Sequence, residues 1–352
     1  MAGRAQAEEI EQTDRLEGFP HPRETFRFIG NREALARAAR AIRSGRPPQA
    51  WLITGPPGIG KATLAYRIAR YLLRYDATAS GPEDLSVAAT DPVSTQMTAG
   101  AHPGLRVLKR GLNPKTGKLM TETSVDVIRQ LAGFFGMTSG AGGWRIAIID
   151  TADDMSDEAA NALLKALEEP PSRAMLMLLA NAPGQLLPTI RSRCQRLDLR
   201  PLAEEEIAAE LAFHLPGLSG DQRAILARLS GGSIGAALAL ADEDGMALAR
   251  EAMRLVDHAA TPDTAALLAL GDRVGRKSDD LTAFGELLAQ ALTDRIRERA
   301  KDRTGANFRP WIETWQKVRQ NFIDAEKLHL EPRQTIISSV LAMSEAAKRN
   351  PL

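Results

Sequence analysis

The first part of the chain alternates short apolar runs with stretches in which apolar residues recur at helical spacing. The apolar runs predict β-strands at 51–54, 105–108, 144–150, 175–179 and 197–199,. The helical spacing predicts helices at 31–44, 61–75, 124–135 and from Ser156 to Pro170,. Stretches rich in Gly, Pro, Ser and Thr predict a loop-rich segment at 76–104, a turn at 113–117 and a break at 140–143,. Strands that alternate with helices of this length are typical of an α/β fold with a parallel sheet.

The pattern changes after Pro201, where the strand signals end. Residues 203–241 predict short helices with a break at the Gly231-Gly232 pair, and the pattern from 246 onward is helical throughout,. We therefore predict a flexible start (1–20), an α/β nucleotide-binding-like domain (21–201), a small helical domain (202–245) and an all-α domain (246–352).

An aromatic stripe lies in the all-α segment. Its members, Trp311, Trp315, Val318 and Phe322, recur at helical spacing. We predict that they form the core face of a helix, and a stacking site for nucleic-acid bases is the alternative.

Composition and charge fit a globular protein without a general affinity for nucleic acid. Of the 352 residues, 44% are hydrophobic and 25% are charged, which excludes a wholly disordered chain,. Lys and Arg number 45 against 44 for Asp and Glu, so the net charge is +1. Any contact with nucleic acid must therefore come from local basic patches or through partner proteins.

The cysteine content and the start of the sequence point to a reducing compartment. A single cysteine excludes an intrachain disulfide framework and a four-thiolate zinc site,. The first residues do not resemble a signal peptide, and the longest apolar stretch, at 174–182, is shorter than the roughly 20 residues of a membrane helix,. We expect a cytoplasmic protein without membrane contact.

A phosphate-binding loop is predicted between the strand at 51–54 and the helix at 61–75. The sequence Gly-Pro-Pro-Gly-Ile-Gly-Lys places Gly55, Gly58 and Gly60 where the backbone must curl, and Lys61 supplies a positive charge at the start of the helix,. Backbone amides, a helix N-terminus and a lysine together bind a chain of phosphates. A tight Gly/Pro turn into a helix, without a ligand, is the alternative.

Two residues that a hydrolytic site requires are replaced. The position after the lysine normally supplies a hydroxyl ligand to Mg²⁺, but it is Ala62, and Thr63 lies one helical step away, which turns its side chain by about 100°,. Asp150 ends a predicted strand, where a carboxylate lies near the metal in this class of site, or it is a capping acid. The residue after it is Thr151, which cannot activate water as a glutamate does.

Two neighbouring acids, Asp153 and Asp154, are out of register with that metal position. We predict that they are solvated or capping residues.

Four motifs occur in the order found in one protein family. They are the loop at 55–61, Ile148-Ile149-Asp150, the string NALLKALEEPP at 161–171 and Ser192-Arg193-Cys194. In this order they resemble the AAA+ clamp-loader subunits of bacterial DNA polymerase III, and among them the delta-prime type. The resemblance spans roughly 25–240 by motif, and the string LEPRQ at 330–334 extends it more weakly. It implies an AAA+ P-loop NTPase domain, a small lid domain and a C-terminal collar domain.

The resemblance also implies roles for single residues. Arg193 matches an arginine finger that reaches the ATP site of a neighbouring subunit, and a solvated basic face shared with Arg191 and Arg196 is the alternative. Asn181 matches the sensor-1 position that contacts the γ-phosphate, or it is a turn residue. Gly235 stands where active ATPase subunits carry a sensor-2 arginine. Cys194 is expected to be a small buried apolar residue and not a reactive thiol.

Because Ala62, Thr151 and Gly235 each remove a different catalytic element, the resemblance implies a stator, a subunit that does not hydrolyse ATP itself. Its expected partners are the gamma/tau ATPase subunits and the delta subunit in a hetero-pentamer, and the sliding clamp and primed DNA through that complex. ATP or ADP is a candidate structural ligand of the loop. The cysteine-ligated zinc module of the family has no counterpart at 76–104, where His102 stands without a cysteine, so no zinc is expected.

Two other functions share the phosphate loop. An active ATPase subunit of the same loader would need the three missing elements. A metabolite kinase would have no use for the Ser-Arg-Cys motif or for the helical C-terminal third.

Overall fold

The structure is a computed structural model that describes residues 15–16, 18–112, 120–136, 143–275, 278–302 and 307–349. The chain separates into two compact units, Met1–Leu202 and Ala203–Leu352. The predicted turn at 113–117 and most of the predicted flexible start lie outside the described residues, as do residues 140–142 of the predicted break. The finer division of the second unit at 245 stays a prediction.

A five-stranded parallel sheet forms the centre of the first unit. The strands are β1 (Ala50–Thr54), β2 (Leu105–Leu108), β3 (Arg145–Ile149), β4 (Ala174–Ala180) and β5 (Gln195–Asp198). They lie in the order β2-β3-β4-β1-β5, and every neighbouring pair is parallel. The predicted α/β fold class with a parallel sheet is confirmed.

The central strands are buried on both faces, which explains why their sequences are almost continuously apolar. All residues of β1 and β4 are buried. Successive side chains point to opposite faces, so Ile53 and Met177 belong to one hydrophobic cluster and Leu52 and Leu178 to another,. The sheet therefore divides the core of this unit into two layers.

Helices cover both faces of the sheet. They are α1 (Arg32–Ile42), α2 (Lys61–Tyr75), α3 (Pro92–Thr98), α4 (Val125–Gly136), α5 (Asp157–Glu168) and α6 (Pro188–Arg193). α2 begins at Lys61, as predicted. α5 begins after Ser156, whose hydroxyl accepts a hydrogen bond from the amide of Ala159 at 3.2 Å and so caps the helix,.

The helix α3 lies within the segment at 76–104 that is predicted to be rich in loops. Asp91 caps its N-terminus by accepting a hydrogen bond from the Val93 amide at 2.9 Å, and Pro92 occupies the first helical position,. The helix has only seven residues, which are too few to show a helical period. The Asp-Pro pair at its start is the signal for it in the sequence.

The second unit is entirely helical within its described residues. Its helices are α7 (Glu204–His214), α8 (Gly220–Leu229), α9 (Ile234–Ala239), α10 (Glu243–Asp257), α11 (Thr264–Val274), α12 (Ser278–Asp302), α13 (Arg309–Leu328) and α14 (Pro332–Arg349). The predicted break at Gly231 and Gly232 is confirmed, since both have positive φ angles, of 59° and 81°,.

The aromatic stripe lies on α13 and is mainly core, as predicted. Trp311, Val318 and Phe322 are buried in the hydrophobic cluster of this unit. Trp315 is half-buried, and its indole N–H donates to the carbonyl of Ala289 at 3.1 Å. None of the described helices has both the length and the apolar content needed to cross a membrane.

Candidate functional site

The loop between β1 and α2 has a backbone that requires glycine. Gly55 has a φ of +149°, and a Cβ atom there would lie 2.8 Å from the carbonyl oxygen of Leu199. Gly58 and Gly60 have φ angles of 69° and 100°, in the left-handed region,. The predicted glycines therefore shape the curled loop at the N-terminus of α2, which is the local structure that binds phosphates in proteins of this class.

Lys61 joins this loop to the end of β4. Its ammonium group donates hydrogen bonds to the carbonyl oxygens of Gly55 and Pro56, both at 2.8 Å, and to Oδ1 of Asn181 at 2.6 Å. Lys61 is only 8% exposed. The structure thus brings together Lys61 and Asn181, which lie 120 positions apart in the sequence.

Burial changes the acid–base behaviour of Lys61. Removal from water lowers the pKa of its ammonium group from 10.5 to about 8, and the negative charges of Asp150 and Asp153 oppose part of that decrease,. Burial therefore destabilises the charged form of Lys61, and the two nearby carboxylates offset only part of this effect.

Asp150 follows β3, at the carboxyl end of the sheet where the loop also lies. Its backbone amide donates to the carbonyl of Leu108 at 2.9 Å, and its Oδ1 accepts from the amide of Thr151 at 3.0 Å. The prediction that an acid lies near the phosphate loop agrees with its electrostatic interaction with Lys61. Thr151 adopts a left-handed backbone, with a φ of 45°, at the start of the next turn.

Asp153 belongs to this site, which the sequence prediction missed. Its Oδ2 accepts hydrogen bonds from the amides of Asn181 at 2.9 Å and Ala182 at 2.6 Å. The carboxylate therefore holds the loop after β4, and that loop carries the side chain that contacts Lys61. The signal in the sequence was weak: an acid three positions after the strand-end acid.

Asp154 makes a different contact from that of Asp153. It lies 3.4 Å from the guanidinium of Arg110, and burial raises the pKa of its carboxyl while Arg110 opposes the increase. Asp154 therefore pairs with Arg110, whereas Asp153 holds the loop after β4.

The residues after Lys61 supply no hydroxyl at the position that normally ligates a metal. Ala62 is half-buried and packs against the hydrophobic cluster on this face of the sheet. Thr63, on the next helical step, is also half-buried. The glycine loop, the start of α2 and Lys61 fit a phosphate chain such as that of ATP or ADP, but the site does not fit Mg²⁺ held in the usual way.

Gly235 lies in the second unit, near the start of α9. The helix is capped by Ser233, whose hydroxyl accepts from the amide of Ala236 at 3.2 Å. Since glycine has no side chain, this position offers no cation to a phosphate; its sensor-2 correspondence stays a prediction.

Arg193 ends α6 and is exposed. Its Nη2 lies 2.9 Å from Oε1 of Glu168, and its Nη1 donates to the carbonyl of Thr189 at 3.0 Å. Arg193 and Glu168 line a surface depression of about 410 Å³ together with Pro48 and Gln49, which precede β1. Two of the predicted motifs, Ser-Arg-Cys and the Glu-Glu-Pro-Pro string, therefore meet through an ion pair.

This arginine and the phosphate loop lie at opposite ends of the sheet. Gln195, two residues after Arg193, pairs with Trp51 near the start of β1, whereas the loop follows Thr54 at the end of the same strand. Four residues of a strand span roughly 13 Å. The predicted finger and the predicted nucleotide loop of this chain therefore form two separate sites.

Cys194 is half-buried beneath this surface and packs at the edge of a hydrophobic cluster. Burial raises the pKa of its thiol from 9.0 to about 11,. The thiol is thus protonated near neutral pH, in agreement with the prediction of an unreactive side chain.

Metal-ligating side chains do not cluster in the part of the chain that the structure describes, where no group of three or more His, Cys, Asp or Glu residues could hold an ion. His102 has a lowered pKa because it is partly buried. The prediction that the chain needs no zinc stays a prediction.

Comparison with known proteins shows which family the first unit resembles. Residues 30–203, which contain the sheet, the phosphate loop and Arg193, match the family described as "DNA polymerase III, delta subunit". This part of the chain is therefore similar to that family.

Its relatives include delta' and tau subunits of DNA polymerase III. The delta' subunit of Pseudomonas aeruginosa is 38% identical over 186 residues, which are 52% of this chain and 53% of that protein. The delta' subunit of Escherichia coli K12 is 33% identical over 213 residues, 60% of each chain. The tau subunit of the same organism is 28% identical over 221 residues, 61% of this chain and 32% of that protein. The chain thus spans little more than half the length of the delta' relatives that it matches.

Proposed function

We propose that the chain is a delta-prime-type stator of a DNA polymerase III clamp loader, which supplies Arg193 to the ATP site of a neighbouring subunit. The observation that carries this proposal is the position of Arg193: it is exposed, and it lies at the end of the sheet opposite the phosphate loop of its own chain. A guanidinium so far from its own loop would not reach a nucleotide held there, so a contact with ATP would have to be made in a neighbouring subunit.

The chemistry of that contact follows from the side chain. The planar guanidinium donates two parallel hydrogen bonds to phosphate oxygens, and its permanent charge stabilises the charge that develops during phosphoryl transfer. In this chain Glu168 and the Thr189 carbonyl occupy the two terminal nitrogens. A neighbour's γ-phosphate carries more negative charge than one carboxylate and would compete with Glu168 for the same nitrogens.

The chain's own loop is proposed to bind a nucleotide without hydrolysing it. Gly58, Gly60 and Lys61 would hold the phosphates of ATP or ADP, and Asn181 would orient Lys61 or the terminal phosphate. Neither a metal-ligating hydroxyl at Ala62 nor a general base after Asp150 supports cleavage, so the nucleotide would act as a structural ligand.

The rest of the proposal concerns the assembly. The chain would join the gamma/tau ATPase subunits and the delta subunit in a hetero-pentamer that opens the sliding clamp and places it on primed DNA in the cytoplasm. The helices of residues 246–352 would form its part of a shared collar, and residues 202–245 would form the lid.

The experiment is an ATPase measurement on the reconstituted loader with Arg193→Ala. We expect a lower rate of hydrolysis with unchanged assembly on gel filtration, because the exposed side chain contributes little to the fold. Arg191→Ala, which removes an exposed arginine two positions away, is the matched control and should leave the rate unchanged. An unaltered rate with Arg193→Ala would remove the finger assignment.

An active ATPase subunit is the second candidate, and the similarity to a tau subunit is the observation in its favour. The isolated chain mixed with Mg·ATP separates the two. The stator proposal predicts negligible turnover, whereas rapid hydrolysis that Lys61→Ala abolishes would support the active ATPase.

A further inference from the structure

A surface depression lies at the amino-terminal end of the sheet in the first unit, at the end opposite the phosphate loop. Its volume is about 720 Å³, which is in the range of sites that hold a drug-sized ligand,. Its walls come from four segments: residues 45–49 before β1, residues 76–78 after α2, Trp144 before β3 and Arg173 before β4. Arg193 does not line it, so it is a candidate site separate from the two already described.

Two residues of this depression have backbone conformations that side chains rarely adopt. Asp76 has a φ of 57° and a ψ of −168°, a region that is almost exclusive to glycine, and Arg173 has a φ of 58°,. They are two of the six residues other than glycine that have a positive φ in the described part of the chain. The two meet in an ion pair of 3.1 Å. Strain of this kind clusters at binding sites, where the surrounding structure holds the residues in place.

The contacts of Asp76 show how these walls are held. Its carboxylate accepts hydrogen bonds from the indole N–H of Trp144 and from the amide of Ala77, the latter at 2.7 Å. Burial raises the pKa of Asp76, but these hydrogen bonds and the charge of Arg173 lower it overall, so the carboxylate stays ionised. The start of β4 is fixed by the amide of Arg145, which donates to the carbonyl of Arg173 at 2.8 Å. The depression is therefore formed before any ligand binds.

The depression combines apolar rings with one uncompensated positive charge. The prolines at 47–48 and Trp144 are half-buried, so each exposes part of a ring. Arg46 is exposed, and its guanidinium has no hydrogen bond or ion pair with a residue that the structure describes. The charge of Arg173 is balanced by Asp76. The ligand that fits is thus an anion with an apolar body.

We propose that this depression binds the carboxyl terminus of a peptide that ends in an apolar residue. The planar guanidinium of Arg46 can donate two parallel hydrogen bonds to a carboxylate. The terminal apolar side chain would cover the rings of Trp144 and of the prolines at 47–48. Gln49 and Thr78, which are exposed in the same depression, offer polar groups to the backbone of the peptide.

Two observations favour a peptide over other anions. The ionised carboxylate of Asp76 in the wall repels a polyanion such as a nucleic-acid backbone,. The volume of about 720 Å³ and the polar groups beyond Arg46 leave room for more than one residue of a ligand.

This proposal goes beyond the stator function, since it needs neither Arg193 nor a nucleotide nor assembly with other subunits. The depression adjoins the one at Arg193 and shares Pro48 and Gln49 with it, so the test must separate the two. Failure of the proposal would leave the proposed role of Arg193 untouched.

The test is fluorescence anisotropy with the full-length chain and the peptide Ser-Gly-Ser-Leu-Phe, labelled at its amino terminus with tetramethylrhodamine. We expect a Kd on the order of 10 to 100 μM for so short a peptide. Amidation of its carboxyl terminus should weaken binding about tenfold, because the charge-assisted hydrogen bonds to Arg46 are lost. Replacement of its terminal Phe by Ser should weaken binding about tenfold through the loss of apolar contact. Equal affinities of the free and amidated peptides would overturn the proposal.

Variants of the chain locate the binding. Arg46→Gln should weaken binding about tenfold and leave the circular dichroism spectrum unchanged, because the exposed guanidinium contributes no contact to the fold,. Arg40→Gln removes the same charge from an exposed position on α1 and should bind as the wild type does. An equal loss in both variants would show a non-specific effect of net charge and overturn the proposal. Arg193→Ala should also bind as the wild type does, and a loss there would place the peptide in the neighbouring depression instead.

Competition distinguishes a peptide from a small organic acid. N-acetylphenylalanine carries the same carboxylate and ring without the preceding residues, so it should displace the labelled peptide only at a concentration roughly tenfold above that of the unlabelled peptide. Displacement by both at the same concentration would assign the depression to a small organic acid and overturn the peptide proposal.

Discussion

Replacing Lys61 with methionine tests whether burial in the phosphate loop destabilises the charged ammonium group. The substitution keeps the length of the side chain and removes the charge. Two effects oppose each other. In the wild type, burial lowers the pKa of Lys61 from 10.5 to about 8. At neutral pH this shift corresponds to about 3 kcal/mol by which folding destabilises the charged lysine. The variant loses three charge-assisted hydrogen bonds, each worth roughly 1.5–3 kcal/mol before water replaces the donor,.

The change of stability with pH depends on the pKa alone and has a definite sign. Between pH 8 and 10.5 the folded chain has released the Lys61 proton and the unfolded chain has kept it. The unfolded state then binds more protons, so the free energy of unfolding rises with pH. From pH 7 to pH 10 this group adds about 2.5 kcal/mol to the wild type and nothing to Lys61→Met.

The assay is the denaturant dependence of Cys194 alkylation at pH 7 and at pH 10, corrected by the rate of a free thiol. Cys194 is the chain's one cysteine and lies in the first unit, so its modification reports the opening of the unit that contains Lys61. Other titrating groups are common to both proteins and cancel in the difference.

Lys165→Met, at an exposed position of α5, is the control and should show no such change with pH. A stability difference between the wild type and Lys61→Met that is equal at pH 7 and pH 10 would refute the argument that burial lowers the pKa of this lysine.

Three further predictions concern residues around the two sites. Gly55→Ala should destabilise the first unit by about 3 kcal/mol, measured by the same denaturation, because its Cβ would meet the Leu199 carbonyl at a backbone angle that alanine rarely adopts; a loss below about 1 kcal/mol would contradict this,. Asp153→Ala should cost about 2 kcal/mol, since the amide of Asn181 loses its acceptor, whereas Asp153→Asn keeps an acceptor oxygen and should cost less; equal effects would argue against a hydrogen-bonding role,. Because burial raises its pKa to about 11, Cys194 should react with a disulfide reagent at pH 8 about 100-fold more slowly in the folded chain than after unfolding, and equal rates would show that it is accessible and ionised,.

The sequence pattern predicts the strands better than their arrangement. β1, β3 and β4 are continuous apolar runs, so their positions follow from burial on both faces of a parallel sheet. The order of these strands in the sheet does not follow from burial, because pairing depends on contacts between distant segments, such as that of β1 with β4. The short helix α3 escapes a periodicity argument because seven residues make less than two full turns,.

Some residues of the candidate sites could also be predicted from the sequence, and others could not. The phosphate loop and Asp150 could be predicted because their chemistry is carried by consecutive residues or by the end of one strand. The partners of Lys61 and Arg193 could not, since Asn181 and Glu168 come from elements brought near only by folding. Asp153 was misjudged because the short helical turn at Ala152–Asp154 redirects its side chain towards the loop after β4.

The proposed function requires that Arg193 acts on a neighbour's nucleotide while the chain's own loop performs no hydrolysis. Single-turnover hydrolysis of radiolabelled ATP by the reconstituted loader, with wild-type chain or with Arg193→Lys, tests it most directly. We expect the variant to lose the fast hydrolysis of one site per assembly and to leave the remaining sites at the wild-type rate, because lysine keeps the charge but not the planar pair of donors. Fast hydrolysis at every site in the variant, or its loss when Lys61 of this chain is replaced instead, would contradict the proposed function.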